Sequence, residues 1–108
     1  MRLKLAHSLF IMLSMEAIIL ASYIIKNYDD ISPMKLQKLL YYAQGYYVAL
    51  HGAKSPLFGE KLYAWKHGPV VKTVYNHYAH HGAGALPAEK MPGIFDGDIR
   101  DFLDEIHR

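Results

Sequence analysis

The sequence contains no cysteine, and this absence excludes a disulfide framework and any zinc site built from thiolates. It fits a reducing compartment, so we expect a cytoplasmic protein. Charge of one sign is also scarce, because 12 Lys and Arg residues stand against 10 Asp and Glu residues and give a net charge of +2. Domains that bind nucleic acid concentrate basic residues on one face, and this balance argues against such a partner.

Sequence patterns of catalysis are absent as well. No serine lies in a G-x-S-x-G turn, no glycine-rich loop precedes a helix in a phosphate-binding arrangement, and the acidic residues are dispersed. His77 and His81 are spaced i, i+4, which can place two imidazoles on one helix face. No H-E-x-x-H pattern and no third ligand accompany them. We therefore predict no enzymatic activity, no cofactor and no metal site.

One long apolar run does occur, from Ala6 to Ile25, with Arg2 and Lys4 before it. A signal peptide, a membrane span and a buried core helix are the competing interpretations. Glu16 lies inside the run, where a charge is costly in hydrocarbon, and no A-x-A cleavage pattern follows. We favour the buried helix without membrane association, and the signal or anchor stays as the alternative.

Two helices are predicted in the first half of the chain. The first runs from Met15 to about Asn27. The second has Ser32 as its N-cap and Pro33 in its first turn, and it ends just before Gly52. The apolar stripe of the second helix, predicted to be buried, is Leu36, Leu39, Leu40, Ala43, Tyr47 and Leu50. The residues of this helix predicted to face away from the stripe include Lys35, Lys38 and Gln44.

Two more helices are predicted in the second half. Residues 60–66 alternate weakly and fit a short strand or an extended arm. Gly68-Pro69 is predicted to start a third helix that runs to His80, and Asp98 is predicted to cap a last helix. The predicted apolar faces are Val70, Val71, Val74, Tyr75 and Tyr78 on the third helix and Ile99, Phe102, Leu103 and Ile106 on the last. The fold class is therefore mainly α, a small single-domain helical bundle with at most one short extended or β segment around residues 60–66.

Aromatic residues are concentrated in two places. The stretch from Tyr41 to Tyr47 contains four tyrosines that cannot all face the core, and the single tryptophan, Trp65, precedes Lys66-His67. Aromatic and basic side chains on one surface are typical of protein interfaces. The alternatives are that these aromatics complete a small core with their polar tips in water, or that they stack on single-stranded nucleic acid. The candidate partner-binding residues are Lys38, Tyr42, Tyr46, Trp65, Lys66 and His67.

Two segments carry a family resemblance. The run LQKLLYYAQG at residues 36–45 is similar to the hallmark helix of the Panacea domain. A second hallmark follows in the family's order and spacing, with PLF at residues 56–58, AWKHGPVV at residues 64–71 and VY at residues 74–75. The resemblance covers about residues 17–78 and extends more loosely into the last predicted helix. Two long segments in the right order are much more specific than one short motif.

The resemblance implies a mostly helical antitoxin domain without catalysis. Members of this family, long catalogued as phage-associated proteins, neutralise bacterial or phage toxins by direct binding, generally from a two-gene operon. Their toxins are varied and many block translation, and at least one relative is an adaptor that delivers its toxin to a cytoplasmic protease. The partners implied for this chain are a cognate protein toxin and, by that second route, a cytoplasmic protease.

The two ends of the chain depart from the family pattern. Residues 1–14 precede the usual start of the domain, and the family domain usually continues past the helix that here ends at Arg108. We expect residues 1–14 to be an N-terminal extension and residues 15–108 to be the antitoxin domain, truncated at its C terminus.

A nucleic-acid-binding regulator of phage or operon origin is the alternative function. The first two helices could imitate a helix-turn-helix. The turn between them is acidic, with Asp29-Asp30, and the second helix uses its Leu36 stripe for the core. Both features disfavour this alternative, and the sequence does not predict an oligomeric state.

Overall fold

The computed structural model describes residues 16–88 and 97–107. Its helices are α1 (Ala17–Asn27), α2 (Pro33–His51), α3 (Lys72–Tyr78), which continues into a 3-10 turn (Ala79–His81), and α4 (Gly97–His107), and its strands are β1 (Leu62–Trp65) and β2 (Gly68–Val71). The two strands pair antiparallel. The mainly α fold class predicted from the sequence is confirmed, and the segment around residues 60–66 is β1.

Two predictions fall on residues outside the described ranges. Residues 1–14, expected to be an N-terminal extension, lie there, and so do residues 6–15 of the long apolar run. The described part of that run forms α1, in which Ala17 and Leu20 are fully buried. Across residues 16–88 and 97–107, no helix combines the length and the apolar character needed to cross a membrane.

Both ends of α2 form as the sequence predicts. The Ser32 hydroxyl accepts a hydrogen bond from the Lys35 N–H at 3.2 Å, and Pro33 occupies the first turn, where an N–H has no helical partner. At the other end, Gly52 has a φ of 92° and donates its N–H to the Val48 carbonyl at 2.7 Å. Glycine adopts this left-handed conformation without steric cost. The caps define a 19-residue helix to which the other elements attach.

The core lies where α1, α2, α3 and α4 meet. Leu36, Leu40 and Ala43 on α2 are buried as predicted, in one cluster with Ile24 and Val74. The predicted apolar face of the last helix is also confirmed, since it packs against this cluster through Ile99, Phe102, Leu103 and Ile106. Removing this apolar surface from water is the main source of folding free energy in a domain of this size.

Leu50 was predicted in the buried stripe of α2, and that prediction is wrong. Its side chain is 69% exposed, whereas Tyr47, three residues earlier, still packs against the core. Helical periodicity assigns a residue to a face but does not show where along the axis the covering elements end. Leu50 lies in the last turn of α2, beyond the elements that cover the helix.

The prediction that Gly68-Pro69 starts a helix is also wrong. Both residues belong to β2, where Gly68 pairs with Trp65, and α3 begins only at Lys72. Gly68 has a φ of 124°, a backbone conformation in which residues with a side chain are strained. A glycine at this position therefore allows the chain to leave the hairpin turn. Pro69 fits β2 because its fixed φ suits an edge strand, where no ladder N–H is required.

Because α3 is shorter than predicted, three residues assigned to its buried apolar face have other positions. Val70 and Val71 are buried but lie on β2, and Tyr75 on α3 is 43% exposed. Only Val74 and Tyr78 are buried within α3. A helix of seven residues has two turns, so it offers one narrow buried stripe.

Two glutamines attach the middle of the chain to α2. Gln37 is buried and binds both backbone groups of Val71: the Val71 N–H donates to Oε1 at 2.8 Å, and Nε2 donates to the Val71 carbonyl at 3.3 Å. Gln44 accepts from the Leu57 N–H at 2.7 Å and donates to the Phe58 carbonyl at 2.7 Å. Gln44, predicted to face away, therefore fixes the loop before β1, while Gln37 fixes β2.

Polar contacts attach α4 to α1 and to the turn after it. The hydroxyls of Tyr23 and Tyr28 both donate to Asp104 Oδ1, and the Tyr28 ring stacks on His107 with 3.9 Å between ring centroids. Burial, and then the hydrogen bond to Asp104, raise the pKa of Tyr23 and of Tyr28 above the ordinary value of 10.0. The folded state therefore favours both phenols in their neutral form.

Candidate functional site

An open groove of about 760 Å³ lies between the N-terminal half of α2, the turn of the β-hairpin and α3. This volume is in the range of ligand sites in proteins. We call it the aromatic groove, and its lining includes Ser32, Pro33, Met34, Leu36, Gln37, Lys38, Tyr41 and Tyr42 at α2, Trp65, Lys66, His67, Gly68, Pro69 and Val70 in the hairpin, and Val74, Tyr75 and Tyr78 on α3.

The floor of the aromatic groove is the surface of the folded core. Leu36, Val74 and Tyr78 line it, and each is at most 2% exposed. One wall carries Trp65 and Tyr75, whose rings meet edge to face with 4.8 Å between centroids. Aromatic pairs prefer this geometry, so the wall is held in place by its own contact.

The opposite wall of the groove is α2. Tyr41 and Tyr42 stand on it with 44% and 51% of their surfaces exposed. Together with Trp65 and Tyr75 they place four partly exposed aromatic rings around one opening. Contiguous exposed apolar surface of this kind marks interaction sites in folded proteins, whereas single exposed apolar residues need no explanation.

The charge around the groove has one sign. Lys38 on α2 and Lys66-His67 in the hairpin turn line it, and the described lining contains no Asp or Glu. The N-terminus of α2 also borders the groove and has no acidic residue in its first turn. A helix N-terminus carries a partial positive charge, which adds to that of the two lysines. The opening therefore favours a partner that brings negative charge.

Five of the six candidate residues predicted from the sequence lie around this one groove. They are Lys38, Tyr42, Trp65, Lys66 and His67. Tyr46, the sixth, is 59% exposed on α2 but does not line the groove. It sits one turn after Tyr42, so the helical wheel grouped the two, although the hairpin faces only the N-terminal half of α2. Their role in binding stays a prediction.

Sequence reasoning missed Tyr41, Tyr75 and Gln37 as parts of this site. Tyr75 was assigned to the core face of a helix that proved shorter, and Gln37 has no sequence signature beyond its place next to Leu36. A hairpin prediction over residues 62–71 would have placed Trp65 opposite Gly68 and so next to the following helix. The sequence signal for this hairpin is Gly68, which directly follows the two polar residues Lys66 and His67.

The histidines after α3 are near one another in space. His80 and His81 have ring centroids 4.0 Å apart, and His77 meets the Tyr78 ring edge to face at 4.6 Å. Within the two described ranges, no three His, Asp or Glu side chains are grouped closely enough to hold a metal ion.

The fold and the groove together define a small, mainly helical domain that presents an open aromatic cleft with a basic edge. Residues 36–96, more than half of the chain, match the sequence profile of the family described as "Antitoxin SocA-like, Panacea domain", and the chain belongs to this family. That description indicates an antitoxin-like, regulatory role through a protein partner. The comparisons with curated proteins and with solved structures find no match.

Proposed function

We propose that this protein is the antitoxin of a toxin–antitoxin system and that it neutralises its cognate toxin by binding it directly in the aromatic groove. Membership of an antitoxin-like family supports the first part. The observation that carries the second is the open groove itself, whose exposed Trp65 and Tyr75 stand above a floor of buried Leu36 and Val74.

The physical basis is the distribution of energy in protein interfaces. A few buried residues, most often Trp, Tyr and Arg, usually carry most of the binding free energy, and they cluster in pockets that exclude water. Trp65 and Tyr42 are residues of these types on opposite walls of one cleft, and Lys38 adds a positive charge to the α2 wall. A toxin segment placed between them would desolvate all three at once, while the core beneath stays unchanged.

Two further parts of the proposal concern how and where neutralisation occurs. The absence of cysteine and the operon context implied by the family resemblance support action in the cytoplasm. Delivery of the bound toxin to a cytoplasmic protease is a second route to the same outcome. It predicts that the toxin level falls when the two proteins are present together, and that it is restored when the protease is removed.

Co-expression in a bacterial host tests the proposal. The gene next to this one, expressed alone, should arrest growth, and this protein should restore it. The variant Lys38→Ala with Tyr42→Ala should lose rescue and keep its circular dichroism spectrum, because both side chains are exposed. The matched pair Tyr46→Ala with Lys54→Ala removes the same residue types outside the groove and should rescue fully.

Two results would count against the proposal. If the protein neither protects against nor copurifies with the product of any neighbouring gene, the antitoxin function fails. If the Tyr46 and Lys54 pair loses rescue while the Lys38 and Tyr42 pair keeps it, the toxin binds the C-terminal half of α2 and not the groove.

The nucleic-acid-binding regulator is the alternative. Its support is the same set of exposed rings and lysines, which could stack on and neutralise a single strand. A helix-turn-helix is disfavoured because Leu36, Leu40 and Ala43 commit one face of α2 to the core. Fluorescence anisotropy with single-stranded DNA of the operon's promoter sequence distinguishes the two functions, since tight, salt-sensitive binding would favour the regulator.

A further inference from the structure

The size of the aromatic groove corresponds to several inserted side chains. A dry apolar cavity of about 150 Å³ holds one benzene ring, so a groove of this volume fits roughly five ring-sized groups. An amphipathic helix presents such a row of side chains at i, i+3, i+4 and i+7. We infer that the groove binds an amphipathic α-helix whose apolar face is flanked by acidic residues. This inference rests on the proposed function and specifies the chemistry of the partner at the same groove.

An extended peptide that adds a strand to the sheet is the other common way to fill a cleft, and the edge of β2 does not allow it. This edge faces α2, because the N–H and the carbonyl of Val71 are both bonded to Gln37. Backbone groups alternate in direction along an antiparallel strand, so Pro69 points to the same edge as Val71. Pro69 has no N–H to donate. The groove therefore binds its partner through side chains, as a helix requires.

The charges of the groove determine the flanks of that helix. Lys38 stands on the α2 wall and Lys66 on the hairpin wall, both exposed. The positive end of α2 also borders the groove, and no acidic side chain is present in the described lining. Glu or Asp beside the apolar face of an incoming helix would be attracted by both walls, whereas Lys or Arg there would be repelled by both.

Selection from a peptide library tests this chemistry without knowledge of the natural partner. The probe is a phage-displayed library of helical peptides with Leu fixed at i, i+4, i+7 and i+11 and with the positions beside this face randomised. The wild-type protein should enrich Asp and Glu at the randomised positions. The variant Lys38→Glu with Lys66→Glu should enrich Lys and Arg instead. The matched control, Lys26→Glu with Lys54→Glu, changes the net charge equally outside the groove and should keep the acidic preference.

Affinity measurements on the most enriched peptide then test the helix. Fluorescence anisotropy should show about tenfold weaker binding to the Lys38 and Lys66 variant, since each exposed ion pair contributes up to roughly fivefold. A proline at the centre of the peptide should abolish binding, because proline breaks a helix. An oligouridylate competitor should not displace the peptide.

Each of the opposite results would overturn the inference. These are selection without a charge preference, enrichment of Lys and Arg on the wild-type protein, tolerance of the central proline, and displacement by oligouridylate, which would indicate a nucleic-acid groove. The outcome is separable from that of the proposed function. Growth rescue together with a failed peptide selection would contradict only the inference that the partner is an amphipathic helix. An acidic preference without growth rescue would contradict only the proposed antitoxin function.

Discussion

The two halves of α2 use the same kinds of side chain in opposite ways. Near its C-terminal half, the Tyr47 ring meets Phe102 of α4 edge to face with 5.5 Å between centroids, and the neighbouring Tyr28 donates to Asp104. At its N-terminal half, Tyr41 and Tyr42 are about half exposed above the aromatic groove. We call the first region the closed end and the second the groove end. Aromatic rings of α2 complete the packing at the closed end, whereas the core beneath the groove end is already complete without Tyr41 and Tyr42.

This difference separates residues that stabilise the fold from residues available for binding. Substitutions at the closed end should reduce the free energy of unfolding. Substitutions of the exposed side chains in the groove walls should leave the free energy of unfolding nearly unchanged and affect only binding of the proposed partner. The following variants test this division, from the largest expected effect on stability to the smallest.

Leu40→Ala should have the largest effect, because Leu40 is fully buried in the core shared by both ends. We expect a loss of about 2–5 kcal/mol in the free energy of unfolding, the usual cost of emptying a buried Leu site. Urea denaturation measures it. Leu50→Ala is the matched control, since Leu50 is 69% exposed on the same helix, and it should change stability by less than about 0.5 kcal/mol. Equal effects of the two variants would show that the assignment of the α2 core face is wrong.

Gln37→Leu should have the next largest effect. It leaves the N–H and the carbonyl of Val71 without the Gln37 amide, and a buried backbone group left unpaired costs about 1–3 kcal/mol. The same denaturation experiment measures the loss. Lys38→Leu introduces the same side chain at the next, exposed position and should be close to neutral. A neutral Gln37→Leu would mean that the hairpin does not depend on α2 for its position.

Tyr28→Phe tests the closed end and predicts a pH dependence. It removes the hydrogen bond to Asp104, and we expect a loss of about 1 kcal/mol at neutral pH. Burial, and then that hydrogen bond, raise the pKa of Tyr28 above 10.0, so the neutral phenol stabilises the folded state. This stabilisation is complete below pH 10 and is lost as the pH rises above the unfolded pKa. The midpoint temperature of thermal unfolding should therefore decrease less steeply above pH 10 for the variant than for the wild type.

The control for this prediction is Tyr46→Phe, because the Tyr46 side chain is 59% exposed on α2. It should leave the midpoint of the melt unchanged at every pH. A Tyr28→Phe variant with the alkaline profile of the wild type would show that Asp104 does not hold the Tyr28 phenol in solution.

Tyr42→Ala should have the smallest effect on stability, below about 0.5 kcal/mol, because its side chain is 51% exposed in the groove wall. It should nevertheless weaken binding of the proposed toxin, because aromatic residues of this kind carry much of the binding free energy in protein interfaces. Phe102→Ala provides the comparison at the closed end, where stability should fall while binding by the remaining folded protein stays unchanged. A large loss of stability in Tyr42→Ala would remove the distinction between the two ends.

The sequence was a good guide to the parts of the fold that depend on local chemistry. Ser32, Pro33 and Gly52 marked the ends of α2 because caps act within a few residues of each other. The buried faces of α2 and α4 followed from spacing, since the helical period alone places Leu36, Leu40 and Ala43 together.

The parts that depend on distant contacts could not be predicted from the sequence. Gly68-Pro69 is compatible both with a helix start and with an edge strand, and pairing with β1 decides between them. Gln37 and Gln44 are polar, so a helical wheel assigns them to the solvent, although their amides replace missing backbone partners. Five of the six candidate residues lie around one groove because the hairpin folds back on α2, which no local pattern encodes.

The bond between Gln37 and Val71 has a consequence for measuring the protein in solution. The Val71 amide hydrogen is held by a side chain on another element rather than by a neighbouring strand, so its exchange with deuterium reports when the hairpin separates from α2. The Leu57 amide, held by Gln44, reports separation of the preceding loop in the same way. Exchange rates at these two amides follow local opening. A ligand that bridges α2 and the hairpin should slow exchange of the Val71 amide and leave that of the Leu57 amide unaffected. Exchange at Val71 would then report directly whether the groove is occupied.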